Sequence, residues 1–156
     1  TNKGKCIVLG EKVYSNADLD TPLAPSDTVK NLIDFLERNR KEWGMARNVF
    51  LDSADQATMQ EWKKNKRRNG CIYTLNDAWK QMEIIDRINM QLGWFAHDQD
   101  SEPCFYVLDS CTTYIHELET YSWDEKKDNT PEDKNDHVVN SVQYAWIPFL
   151  TKIYKR

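Results

Sequence analysis

Asn48-Val49-Phe50-Leu51-Asp52-Ser53-Ala54-Asp55 joins a short apolar strand to a carboxylate at its end, and a helical pattern starts directly after it. That helix is predicted over about 56–69, with Met59 and Trp62 turned inward, Ser53 or Asp55 as its cap and Gly70 as its stop. Working outward, Cys71 to Leu75 has the character of the next strand. Upstream, Ser26 or Asp27 is predicted to cap a helix through Trp43, because Val29, Leu32, Ile33, Leu36 and Trp43 recur at helical spacing. Before it come a loop with Pro22 and Pro25 and a strand pattern over 5–14. Downstream, Asn76 or Asp77 is predicted to open a third helix whose core face is Trp79, Met82, Ile85, Ile88, Met90 and Leu92, ending at Gly93. A strand over Cys104–Leu108 follows Pro103, and a helix over Cys111–Tyr121 carries Tyr114, Ile115 and Leu118 on its apolar side. Residues 124–136 are predicted to be a solvated loop. A last helix begins near Asn135 with Val138, Val142, Ala145 and Trp146 inward, and Pro148 kinks or ends it. Strand and helix patterns that alternate in this way predict an α/β sheet with helices on its faces. In such sheets the ligand crevice lies at the carboxyl ends of the strands, where Asp52 stands.

The chain has 156 residues, 40% of them hydrophobic, with only five Gly and five Pro, so it buries enough apolar surface to fold, and the length predicts a single domain over 1–156. No apolar run reaches the roughly 18 residues of a bilayer span, and no secretion signal opens the chain, which predicts a soluble intracellular protein. A net charge of -4 argues against bulk coating of nucleic acid, while a local basic patch remains compatible with phosphate contacts. Cys6, Cys71, Cys104 and Cys111 lack zinc-site spacing and are expected to be reduced core thiols. Thr1-Asn2-Lys3-Gly4-Lys5 has the composition of a hairpin tip, so the sequence predicts a partner strand before residue 1 and a chain cut from something longer.

Three groups of residues carry candidate chemistry. Asp52, with Ser53 and Asp55 beside it, offers oxygen ligands for a hard divalent cation, or a plain helix cap. In Asn135-Asp136-His137-Val138-Val139-Asn140, helical spacing sets Asp136 and Asn140 on one face and brings His137 near Asn140; alternatively Asn135 is an N-cap followed by an acid that complements the helix dipole. Lys63, Lys64, Lys66, Arg67 and Arg68 near the end of the second helix suit either a solvated helix end or a phosphate backbone. His97 and His116 carry no expected role, and no phosphate loop, nucleophile elbow or Cys-His pair occurs.

The order of these segments resembles a known family. Asp-Ser-Ala-Asp (52–55), the Lys-rich helix, Asn-Asp-Ala-Trp-Lys (76–80), Ile-Ile-Asp-Arg-Ile-Asn (84–89), Thr-Tyr-Ile-His-Glu-Leu-Glu-Thr-Tyr-Ser-Trp-Asp-Glu-Lys (113–126) and Asn-Asp-His-Val-Val-Asn-Ser-Val-Gln-Tyr-Ala (135–145) look like the C-terminal nuclease domain of the large terminase subunit of tailed bacteriophages. The resemblance implies an RNase H-like mixed sheet flanked by helices, here without its first strand. It implies an endonuclease that cuts concatemeric viral DNA during packaging with Mg2+ or Mn2+ in a two-metal site. Double-stranded DNA, the terminase small subunit and the portal are the implied partners, with no membrane, in the cytoplasm of the infected bacterial host. Asp52 matches the second acidic motif, and Asp136 and His137 match the start of the third. Asp52, Asp136, His137 and Asn140 are then the expected catalytic residues, and Asp52, Asp136 and Asn140 the metal ligands. Lys63, Lys64, Lys66, Arg67 and Arg68 would contact DNA. Asn140 stands where the family has an Asp, and the first acidic motif would precede Thr1, so a module that has lost cleavage and serves in DNA binding or motor assembly is the alternative. The resemblance also predicts that Asp52 and the Asp136–Asn140 turn converge to within roughly 10 Å.

Overall fold

The computed structural model describes residues 4–15, 19–78, 80, 82–96, 102–127, 130–132, 134 and 136–153. In chain order these form β1 (Cys6–Val8), α1 (Pro25–Trp43), β2 (Asn48–Leu51), α2 (Gln56–Asn69), β3 (Thr74–Asp77), α3 (Ile84–Phe95), β4 (Phe105–Val107), α4 (Thr112–Thr120) and α5 (His137–Trp146), with a 3-10 helix over Ile147–Lys152. The described residues are thus mixed α/β, with five α-helices and two parallel two-stranded sheets, β2 with β3 and β1 with β4. They divide into two compact units, one of Lys12–Ala78 and one of Thr1–Glu11 together with Trp79–Arg156. Thr1–Lys3 of the predicted hairpin tip, the inward Trp79, His97 and the cap Asn135 lie outside the described residues.

In the Lys12–Ala78 unit, β2 and β3 pair in register from Asn48↔Thr74 to Leu51↔Asp77, and α2 supplies the crossover that a parallel pair requires. Val29, Val49, Trp62 and Tyr73 are its buried centre, and Leu32, Ile33 and Leu36 of α1 pack against it as their spacing predicts. Trp43 departs from that stripe and is 44% exposed at the helix's last position. α1 starts on Pro25, whose fixed φ suits the first turn, so Ser26 and Asp27 lie inside the helix instead of capping it. Asp55 does cap α2, accepting the Thr58 N–H at 3.0 Å, and Gly70 ends it at φ 67°, a left-handed conformation that favours glycine. Asn76 and Asp77 correct the sequence reading: their capping chemistry is overridden by pairing with β2, and they belong to β3.

In the other unit, β1 pairs with β4 from Cys6↔Phe105 to Val8↔Val107. Trp94, Cys104, Phe105, Cys111, Tyr114, Val139, Trp146 and Ile147 form its core, with Trp94 edge-on to Trp146 at 4.8 Å between ring centroids. α3 begins only at Ile84, which turns a different stripe inward: Ile88, Gln91 and Trp94 are buried, Leu92 is 59% exposed, and Gly93 lies within the helix. In α5 the inward positions are Val139, Gln143 and Trp146 at four- and three-residue steps, and Ala145 is exposed. Pro148 accompanies the change from α- to 3-10 helix after Trp146. In the segment expected to be solvated, Glu125, Lys126, Lys127, Glu132 and Lys134 are exposed. Trp123 bridges Pro131, which is buried, and the Asp124 N–H donates to Thr130 O at 2.9 Å. All four cysteines are free thiols, Cys104 and Cys111 buried and Cys6 and Cys71 half-buried. Among the described residues no helix is long and apolar enough to cross a membrane.

Candidate functional site

α5 begins with a polar cluster whose scaffold is another helix. Asp136 occupies the N-cap position, but its side chain makes no cap bond. The cap comes from Glu117 of α4, whose Oε2 accepts the Val138 and Val139 N–H groups at 2.8 and 2.9 Å. A helix N-terminus leaves such donors without intrahelical partners and carries partial positive charge, so a buried carboxylate satisfies both needs at once. Glu117 is only 6% exposed. The sequence does carry a signal for it, because Tyr114, Glu117, Leu118 and Tyr121 share one helical face, and an acid on an apolar face needs a partner.

Held by that cap, Asp136 is buried and its carboxylate is shared. Oδ2 accepts the Asn140 side-chain amide at 2.8 Å, and Oδ1 lies 3.7 Å from Nδ1 of His137. The His137 side chain is 91% exposed, so its other ring nitrogen has access to solvent while a buried carboxylate stands beside Nδ1. Burial raises the Tyr121 phenol, the Asp136 carboxylate adds to that rise, and the Arg87 guanidinium opposes it. Asp136, His137 and Asn140 are therefore brought together as the sequence predicts, with Tyr121, Arg87 and Glu117 in electrostatic range of the cluster.

Asp52 belongs to the Lys12–Ala78 unit, where it is half-buried at the carboxyl end of β2. Its Oδ1 accepts the Ala54 N–H at 2.8 Å and its carbonyl accepts the Asp55 N–H at 3.0 Å, a turn that leads the chain into α2. Asp55 is spent on capping. Lys63, Lys64, Lys66, Arg67 and Arg68 are all exposed on the C-terminal half of α2, and Lys64 pairs with Glu61 at 3.0 Å. A hard cation wants several oxygen ligands. The α5 cluster alone offers the Asp136 carboxylate and one amide whose nitrogen is turned toward that carboxylate, so by itself it does not complete such a site. Among the described residues no group of three or more His, Cys, Asp or Glu side chains is arranged to hold a metal ion.

No family model matches the chain, and neither a curated protein nor a solved structure is significantly similar to it.

Proposed function

We propose that the chain is a terminase-type nuclease domain, RNase H-like in fold, that acts on double-stranded DNA with Mg2+ or Mn2+ in the cytoplasm of an infected bacterium. The observation that carries this reading is the assembly of Asp136, His137 and Asn140 into one cluster fixed by Glu117. In this reading Asp136 and Asn140 are metal ligands at the start of α5, and Asp52 is a metal-binding acid at the end of β2. The bound cation would polarise the scissile phosphate and lower the pKa of water. His137 would exchange protons at its solvent-facing nitrogen while Asp136 orients the ring. Charge is divided along the chain in a way that favours DNA contact by one part: Lys12–Ala78 holds eleven Lys and Arg against ten Asp and Glu, and the rest of the chain ten against fifteen. Crystals soaked in Mn2+ test the reading through anomalous signal. It stands if a metal peak lies within ligand distance of Asp136, and it falls if Mn2+ does not bind there.

The alternative is a module that binds DNA or assembles the packaging motor, with the small subunit and portal as partners, without cutting. The engagement of Asp136 by the Asn140 amide favours it, because that bond satisfies the carboxylate without a cation. Divalent-dependent cleavage of plasmid DNA, lost in Asp52→Asn and in Asp136→Asn, separates the two.

A further inference from the structure

The Lys12–Ala78 unit is polarised in charge along its strands. α1 leads into β2 through residues 44–47 and α2 leads into β3 through residues 70–73, and the two strands start side by side at Asn48↔Thr74. The last turns of both helices therefore gather at the amino ends of the strands, where Arg40, Asn69 and Ile72 line one hollow. At the opposite end stand Asp52, Asp55 and Asp77. Residues 40–47 and 66–73 carry Arg40, Lys41, Arg47, Lys66, Arg67 and Arg68, all exposed, against Glu42 as their one acid. Arg40 also reaches Glu37, one turn back, at 3.5 Å. Three large apolar side chains belong to the same stretches: Trp43, Met45 and Ile72 are 44, 51 and 53% exposed.

Cations in the last turn of a helix complement its dipole, but that role does not call for exposed Trp, Met and Ile beside them. Cations together with an accessible aromatic face are the equipment for single-stranded nucleic acid, whose bases stack on the ring while its phosphates meet the charges. A duplex would use the cations alone, because its bases already stack on one another. An anionic membrane also takes cations with apolar groups, yet it takes them at one plane. Here Lys63 with Arg67 and Lys64 with Arg68, at four-residue spacing on the side of α2 away from the buried Met59 and Trp62, carry the charge back along the helix for about 5 Å per turn. A track of that kind fits a chain of phosphates better than a flat surface. We propose that this end of the unit binds a single strand of DNA, with Trp43 as the stacking platform for a base, Met45 and Ile72 as its apolar flank, and Arg47 and the α2 cations on the neighbouring phosphates. The choice of DNA over RNA rests on the nuclease reading; the stacking surface does not.

The test uses the whole chain in EDTA, so that no metal site takes part, with labelled octathymidylate, octauridylate, a GC-rich octamer duplex and phosphatidylserine vesicles as probes. Octathymidylate is expected to bind more tightly than the duplex and to quench tryptophan fluorescence. Trp43→Ala is expected to weaken octathymidylate about fivefold or more while the duplex changes by less than about twofold, and Trp43→Phe to keep most of the affinity. Trp123→Ala, at an exposed tryptophan of the other unit, is expected to change neither. The proposal is overturned if the duplex binds as tightly as octathymidylate, if Trp43→Ala weakens both alike or neither, if octauridylate is preferred, or if the vesicles bind and octathymidylate does not. Failure of Mn2+ to bind at Asp136 would end the nuclease reading and leave these outcomes unchanged. Should Trp43→Ala fail to fold, the ratio of octathymidylate to duplex affinity and the quenching in the unmodified protein decide the question without it.

Discussion

Asn140 donates its amide to Asp136, and replacing it by Asp removes that bond and sets a second carboxylate about 2.8 Å away. Two such charges cannot both ionise cheaply, so the pair should share a proton and its upper pKa should rise. A folded-state pKa raised above the unfolded value costs stability as pH rises, so Asn140→Asp should melt below the native protein at pH 7 and approach it as pH falls through the carboxylate range. Millimolar Mn2+ should narrow the gap at pH 7 if the turn is a ligand site, and an equal response of both proteins to Mn2+ would remove Asn140 from the metal reading. Tyr73 gives a second pH signature. Burial, and then its 2.5 Å hydrogen bond to Glu37, push its phenol from 10.0 to about 12. The neutral phenol is the form the fold favours, so its contribution is complete below pH 10 and is lost as pH rises toward 12. A thermal-melt profile should therefore fall more steeply over that interval in the native protein than in Tyr73→Phe.

At the scale of elements, α2 carries the clearest electrostatic test. Reversing Lys63, Lys64, Arg67 and Arg68 to Glu should weaken DNA binding by similar factors on unrelated sequences, because phosphate contacts carry no sequence information. The slope of log K against log salt should flatten by about 0.9 for each phosphate that is no longer neutralised, and an unchanged slope would assign the cluster to solvation. This helix was also the most legible element in the sequence, since its cap, inward pair and stop are all local chemistry at Asp55, Met59, Trp62 and Gly70. Failures arose where distant partners decide. Asn76 and Asp77 have the side chains of a helix start, and only β2, absent from any local window, makes them a strand. The third helix then begins late, and its inward face moves from Leu92 to Gln91 and Trp94. In the candidate site, Asp136, His137 and Asn140 are visible through helical spacing, while Glu117 signals only that an acid on an apolar face needs a partner; which partner it has is out of local view, because its bonds go to backbone 21 and 22 residues away.

For the whole molecule, the division of charge makes a spatial prediction that needs no assumption about how the two units are arranged. DNA carrying a photoreactive group should crosslink mainly to peptides from Lys12–Ala78, the part in which positive charge is in slight excess. Crosslinks concentrated in 102–153 would contradict it. The alternation of strands and helices correctly indicated mixed α/β structure, but alternation says nothing about which strands pair. β1 finds β4 across nearly a hundred residues while β2 and β3 pair within the intervening segment, and that nesting depends on tertiary burial.

The same nesting places one carboxylate in an unusual post. Glu11, just after β1, accepts the Thr113 and Tyr114 N–H groups at 2.7 and 2.9 Å and so closes the start of α4 from more than a hundred residues upstream. Ordinary helix ends fray freely and exchange their amide hydrogens quickly. These two amides should instead be protected until the chain around Glu11 detaches, so their exchange should follow the opening of the β1–β4 pair, and Glu11→Ala should return them to the rate of a fraying end while leaving the middle of α4 slow.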